Sequence, residues 1–277
     1  MTVEVVGSPY GIAADGDGTL WFTMPAQGTI GRYAAGRVDT FALESADGQP
    51  TVIISGPDAL WFTEFRGNRI GRIGGDGTVA SFEAVAPYGI CIGPDGALWF
   101  TEVQDGRIGR RTADGEITKF DVDGMPSMIV AGPDGALWCT LNQGNAIARV
   151  TTEGGITVHA LPTEAANPVG ITRGPDGALW FVEIGAGQIG RITTDGKVDE
   201  FPLPDRNARP HAIIAGPDGA LWFTEWAANK LGRITTTGEI TEYPLPGAEP
   251  HGLTVGADGG IWVAMESGAL VRVPIGG

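Results

Sequence analysis

The sequence predicts a seven-bladed β-propeller with four short strands to a blade. Three observations predict it: a repeat of about 40 residues along the whole chain, short apolar segments separated by turn residues, and no segment with helical periodicity. The repeat is marked by the phrase Gly-Pro-Asp-Gly-Ala-Leu-Trp-Phe-Thr-Glu and its variants. Its tryptophan falls at Trp21, Trp61, Trp99, Trp138, Trp180, Trp222 and Trp262, spaced 38 to 42 residues apart.

Each unit runs in the same order. A Pro-x-Gly-Ile segment gives strand a, and a Pro-Asp-Gly turn follows it. Proline presets φ for the second turn position, and glycine takes the left-handed conformation that a tight hairpin needs. Leu-Trp-Phe-Thr then gives strand b, Ile-Gly-Arg-Ile strand c, and segments such as Ile240-Thr-Glu-Tyr-Pro-Leu245 strand d. Strands this short cannot pack alone, and radial closure of seven units removes long exposed edges. The seventh unit supplies strands a, b and c (Val271-Arg-Val-Pro-Ile) without a d strand, whereas Val3-Glu-Val-Val6 precedes the first a strand and matches a d strand. Residues 3–6 are therefore expected to complete the seventh blade, with residues 1–277 forming a single domain.

Composition narrows the function classes. The 45 glycines and 19 prolines recur at intervals and read as turn punctuation, not disorder. A formal net charge of −15 and a pI near 4.5 argue against nucleic acid and anionic membranes, which attract a positive field. The first residues, Met1-Thr-Val-Glu-Val-Val6, hold neither a basic region nor an apolar run of signal-peptide length, and no stretch reaches membrane-spanning length. Cys91 and Cys139 replace apolar residues in strand-like segments and read as small buried hydrophobes. A cytoplasmic monomer is expected.

The repeat also exposes positions released from scaffold duty. The residue after the strand-a proline is Tyr10, Thr51, Tyr88, Ser127, Val169, His211 and His251 in turn. Strand a is innermost, so these residues should ring one mouth of the central channel. Two of the three histidines sit there in neighbouring blades, facing one channel, which favours a functional role over that of a hydrogen-bonded rim residue. His159 instead takes the aromatic position of strand d, as Phe201 and Tyr243 do, and reads as structural.

Four blades end strand b with Trp-x-x-Glu, at Glu64, Glu102, Glu183 and Glu225. With the repeated strand-c arginines (Arg72, Arg110, Arg191, Arg233), they are expected to form structural ion pairs. The seventh blade departs: Trp262 is followed by Val-Ala-Met265-Glu266, one position later, which in a strand turns the side chain to the opposite face. A hairpin centred on Asp258-Gly259 would place Glu266 directly opposite His251, and one centred on Asp218-Gly219 would place Trp226 opposite His211. Glu249, two residues before His251, adds a second carboxylate. The expected constellation is His211, Trp226, Glu249, His251 and Glu266, converging on one mouth.

A neutral imidazole accepts a proton near neutral pH. Two neighbouring carboxylates suit a hard divalent cation, Mg²⁺ for preference, with water and substrate oxygens completing its shell. No Gly-x-Ser-x-Gly, His-Glu-x-x-His or plausible cysteine nucleophile occurs. A base and a metal without a nucleophile suit either proton abstraction beside a carbonyl or metal-assisted hydrolysis. The residues alone leave both open.

The runs Pro210-His-Ala-Ile, Trp222-Phe-Thr-Glu-Trp-Ala-Ala-Asn-Lys-Leu-Gly-Arg233, Glu249-Pro-His-Gly252 and Trp262-Val-Ala-Met-Glu266 resemble the virginiamycin B lyases, or streptogramin B lyases. The paired histidine motifs and Ala-Met-Glu carry the specificity of this resemblance. It implies that His251 is the general base, that His211 assists at the substrate, that Tyr10 lines the pocket, and that Glu249 and Glu266 hold Mg²⁺ directly or through water. The implied reaction is elimination: the α-proton of the ester-linked threonine is removed, and a cyclic depsipeptide antibiotic opens without water. Two departures, Ala227-Ala228 for a glycine-containing loop and Val263 for phenylalanine, touch none of this chemistry. A lactonase-like metal-dependent hydrolase and a non-catalytic binding propeller are the alternatives.

Overall fold

Each unit of the repeat folds as one antiparallel sheet. The computed structural model describes residues 1–275, which form seven four-stranded sheets and no helix. The sixth blade shows the pattern, with strand a at Pro210–Ala215, b at Leu221–Glu225, c at Lys230–Ile234 and d at Ile240–Pro244. Strand a of every blade meets strand a of the next, the seventh meeting the first, so the sheets close into a propeller.

The repeated residues hold each blade through one recurring clamp. The turn aspartates Asp95, Asp134, Asp176 and Asp218 accept the indole N–H of Trp99, Trp138, Trp180 and Trp222 at 3.0 Å. The same carboxylates accept Nε–H of Arg110, Arg149, Arg191 and Arg233 at 2.6–2.7 Å. These four indoles stack on the strand-d rings of Phe120, His159, Phe201 and Tyr243, with centroids 5.5–5.8 Å apart. His159 is thus a strand-d aromatic, as its repeat position requires.

The expected glutamate–arginine pairs are not made, because the turn aspartates have taken most of the arginines. The strand-b glutamates are buried at the strand ends instead. Glu102 accepts from Lys119 at 2.9 Å and from the Val85 N–H at 2.7 Å, and Glu183 accepts from Gln188 at 2.6 Å. Burial above all pushes the Glu183 and Glu225 carboxyls up to about 7.

The core lies between blades, and one exchange there explains a departure noted above. The strand-b rings Phe22, Phe62, Phe100, Phe181 and Phe223 sit opposite the strand-c glycines Gly31, Gly71, Gly109, Gly190 and Gly232. A Cβ at any of these glycines would lie 2.1–2.2 Å from the ring. Where strand b carries the smaller Cys139 or Val263, the opposite residue becomes Ala148 or Val271. Val263 is therefore a volume-conserving repacking of the seventh blade. Cys139 is fully buried and Cys91 partly so; both are free thiols, and burial raises both well above the ordinary range.

The N-terminus closes the ring. Strand Thr2–Glu4 pairs with Ala269–Val273 as the outer strand of blade seven. The strand starts one residue earlier than the expected 3–6 and ends at Glu4. The Val5 N–H still bonds the Gly268 carbonyl at 2.9 Å, and Val5 packs with Met24 and Leu270, whereas Val6 is 98% exposed. A chain lacking residues 1–7 is expected to lose about 3 kcal/mol or more in urea unfolding, from one buried valine and the freed strand edge. Unchanged stability would show that the closure carries no weight.

Candidate active site

The rim residues are set by a device that links each blade to the next. The strand-b threonines Thr23, Thr63, Thr101, Thr140 and Thr224 donate to the carbonyls of Thr51, Tyr88, Ser127, Val169 and His251, at 2.6–3.0 Å. The His251 backbone is thereby pinned by Thr224 from blade six. At the closing seam Gly252 donates to the Tyr10 carbonyl at 2.8 Å, and a Cβ on Gly252 would lie 2.6 Å from that oxygen. The glycine after His251 is what lets the last blade approach the first.

The hairpin register differs from the sequence expectation. Leu253 pairs with Val263, but Pro250 pairs with Met265, so His251 and Gly252 form a β-bulge. Blade six has the same bulge, with Pro210 opposite Glu225. Glu266 and Trp226 each lie just beyond strand b, and their N–H groups bond the carbonyls of Glu249 and Arg209 at 3.1 and 3.2 Å. Glu266 is therefore opposite Glu249 rather than His251, and Trp226 opposite Arg209 rather than His211. The buried Met265 takes the place of the strand-end glutamates of other blades.

The bulge nevertheless delivers the expected neighbours. His251 Nε2 lies 3.4 Å from Glu266 Oε2, the histidine 8% exposed and the glutamate side chain 32% exposed. The Tyr10 ring stacks on His251 at 4.3 Å and 29°, and the His211 ring meets His251 edge-on at 4.7 Å. Trp226 lies 6.2 Å from His251, and the Arg209 guanidinium sits over the indole at 5.9 Å from the ring centre. The Tyr88 hydroxyl is 3.1 Å from that of Tyr10, which in turn lies 3.4 Å from His211 Nε2, and both rings line the channel. Below this mouth runs a channel cavity of about 420 Å³, walled by residues such as Ile53, Ile90, Met128 and Ile213.

The electrostatics separate the two histidines. Burial first, and the neighbouring His251 second, push the His211 imidazole down to about 3, so it stays neutral through the physiological range. The Glu266 carboxyl is held below its ordinary range by the hydrogen bond with His251, against burial, with the His251 charge and the adjacent Glu249 carboxyl adding to the drop. Nδ1 of both histidines and the Trp226 indole nitrogen are buried without a partner among the described residues. These are polar groups that a bound molecule can satisfy.

Glu249 is exposed, with φ of 58°. That conformation belongs to the scaffold, since Gln49, Ala86, Met125, Asn167 and Arg209 precede their prolines with φ of 42–62°. Asn229 Oδ1 fixes it by accepting the Glu249 N–H at 2.9 Å. Thr224 and Asn229 are positioning residues that sequence reasoning missed. They repeat as Thr63 and Asn68 or Thr140 and Asn145, and so look like scaffold. Among the described residues no group of three or more His, Cys, Asp or Glu forms a metal cluster. The adjacent Glu249 and Glu266 carboxyls are hard oxygen donors at an accessible rim, which fits a cation that keeps several waters, as Mg²⁺ does.

Known proteins share both the sequence pattern and the fold. The profile of the Virginiamycin B lyase family matches residues 2–273. A virginiamycin B lyase of Nocardia farcinica is 57% identical over 169 residues, an alignment spanning 61% of this chain and 61% of that protein. The selenomethionine-substituted virginiamycin B lyase of Staphylococcus aureus superposes with a TM-score of 0.94 at 43% identity, over 98% of this chain and 97% of the other. A catalytically inactive histidine-to-alanine variant of the Staphylococcus aureus lyase, crystallised with quinupristin, gives 0.93 at 42% identity over the same shares. The chain belongs to the virginiamycin B lyase family.

Proposed function

We propose that this protein is a streptogramin B lyase, opening the ring of a cyclic depsipeptide antibiotic by elimination, with Mg²⁺ at the Glu249–Glu266 rim. The observation that carries this reading is His251, held between Tyr10 and Glu266 with one ring nitrogen engaged and the other free. In its neutral form the His251 imidazole offers a ring lone pair for a proton. It takes the α-proton of the threonine whose side-chain oxygen closes the ring ester. The C–H electron pair becomes the Cα=Cβ bond, the Cβ–O bond breaks, and the ester leaves as a carboxylate. Glu266 stabilises the imidazolium formed, as a neighbouring carboxylate does for any charged histidine.

His211 remains neutral and offers a hydrogen bond to a substrate carbonyl oxygen, where negative charge develops as the proton leaves. Tyr10 and Trp226 present ring faces to a largely apolar macrocycle. Mg²⁺ held by Glu249 and Glu266, directly or through water, would supply further electrophilic stabilisation of that charge. The inactivity of a histidine-to-alanine lyase bound to quinupristin supports the reading. Of the three histidines here, His159 is a blade-packing residue, so the role falls to the pair at the mouth.

Product mass tests the chemistry. Elimination only moves atoms within the molecule, so the linear product is expected to match the cyclic antibiotic in mass and to take up no label in H₂¹⁸O. A product heavier by one labelled water would establish hydrolysis instead.

A further inference from the structure

Blades six and seven fill the same pair of rim positions with opposite chemistry. In blade seven the residue before the strand-a proline is Glu249, and the one just past strand b is Glu266. In blade six these positions hold Arg209 and Trp226, joined by the same backbone hydrogen bond at 3.2 Å. Arg209 is exposed, and its φ of 51° matches the 58° of Glu249. A cation therefore stands in the neighbouring blade on the scaffold position that carries a carboxylate at the candidate site.

The Arg209 side chain is not spent on the fold. The cations on the strands of blade six are paired, Lys230 with Glu242 and Arg233 with Asp218, each at 2.7 Å. Arg209 has no carboxylate partner among the described residues. Its guanidinium lies over the Trp226 indole, 5.9 Å from the ring centre, and Trp226 lies 6.2 Å from His251. A guanidinium held on an aromatic face keeps its in-plane fork of N–H groups open to a carboxylate.

The elimination makes one group that the cyclic substrate lacks. The Cβ–O electron pair stays with the ester oxygen, so the opened chain ends in a full negative charge. That end is tethered to the new C=C bond only through the peptide, and it is free to swing. We propose that Arg209 is a product-binding residue: it captures the released carboxylate and holds it away from the Cβ it has just left. This inference rests on the lyase reading above.

The test is calorimetric binding, in metal-free buffer, of two linear peptides: the elimination product of a B-type streptogramin, prepared chemically, and its carboxyl methyl ester. Wild type is expected to bind the acid about tenfold more tightly than the ester, with the difference shrinking as salt is added. Arg209→Met keeps an unbranched stem over Trp226 without the charge, and should erase the difference by weakening the acid alone. Arg209→Lys keeps the charge without the fork and should retain part of it. Arg206→Met removes an exposed cation of the same connection and should leave the difference intact. No acid–ester difference in wild type, a difference that survives in Arg209→Met, or an equal loss in Arg206→Met would overturn the proposal. Failure of the wild type to open the cyclic antibiotic would sink the lyase reading instead, and the two failures are told apart because the acid–ester difference is read without turnover.

Discussion

Replacing His251 with alanine is expected to lower kcat by about 10²–10⁴-fold, the range that a positioned general base contributes. The loss should be clean. Thr224 holds the His251 backbone carbonyl, not its ring, so the link between blades six and seven survives the substitution. The ring itself lies against Tyr10 of blade one and the edge of His211 of blade six, at the mouth and outside the apolar clusters of the core. His159→Ala is the control: it removes a ring stacked on Trp138 and should lower stability while leaving the rate close to wild type. Comparable rate losses in the two variants would remove the reason for separating the mouth from the scaffold.

The second large effect concerns the carboxylates. Chelation is expected to abolish turnover and Mg²⁺ to restore it. Glu266→Gln should lower kcat by about 10²-fold or more, because it removes both a hard ligand and the charge facing His251. Glu249→Gln removes only the ligand and should chiefly weaken Mg²⁺ binding, measured calorimetrically without substrate. Glu64→Gln alters a carboxyl buried at the end of a blade-two strand, and should leave both the rate and the metal affinity unchanged. Full activity in rigorously metal-free buffer would return Glu249 and Glu266 to structural or acid–base roles.

How legible the site was depended on the kind of signal. His211, His251 and Tyr10 were visible because the repeat aligns them on one scaffold position with neighbours as different as Thr51 and Val169. Glu266 is visible in the sequence as a displaced acid, but strand alternation is only part of what places it. Alternation along a regular strand would turn it to the opposite face, but it lies past the strand, and a bulge at His251-Gly252 brings the two side chains together. A bulge leaves little mark in a hairpin sequence whose turn and apolar pattern remain regular. The strand-b glutamates lack the arginine partners that the repeat suggests for a related reason: the turn aspartates compete for those arginines at 2.6–2.7 Å.

The sequence by itself determined the number of blades, the order of strands and the N-terminal closure, since these follow from a periodic pattern of local turn and strand preferences. Only the tertiary structure decided which groups touch: Tyr10 on His251, Glu266 beside Glu249, and Tyr88 reaching Tyr10 across the channel. Local preference acts over a few residues, whereas those contacts join blades far apart in the chain, through closure of the ring and two bulged strands at its mouth.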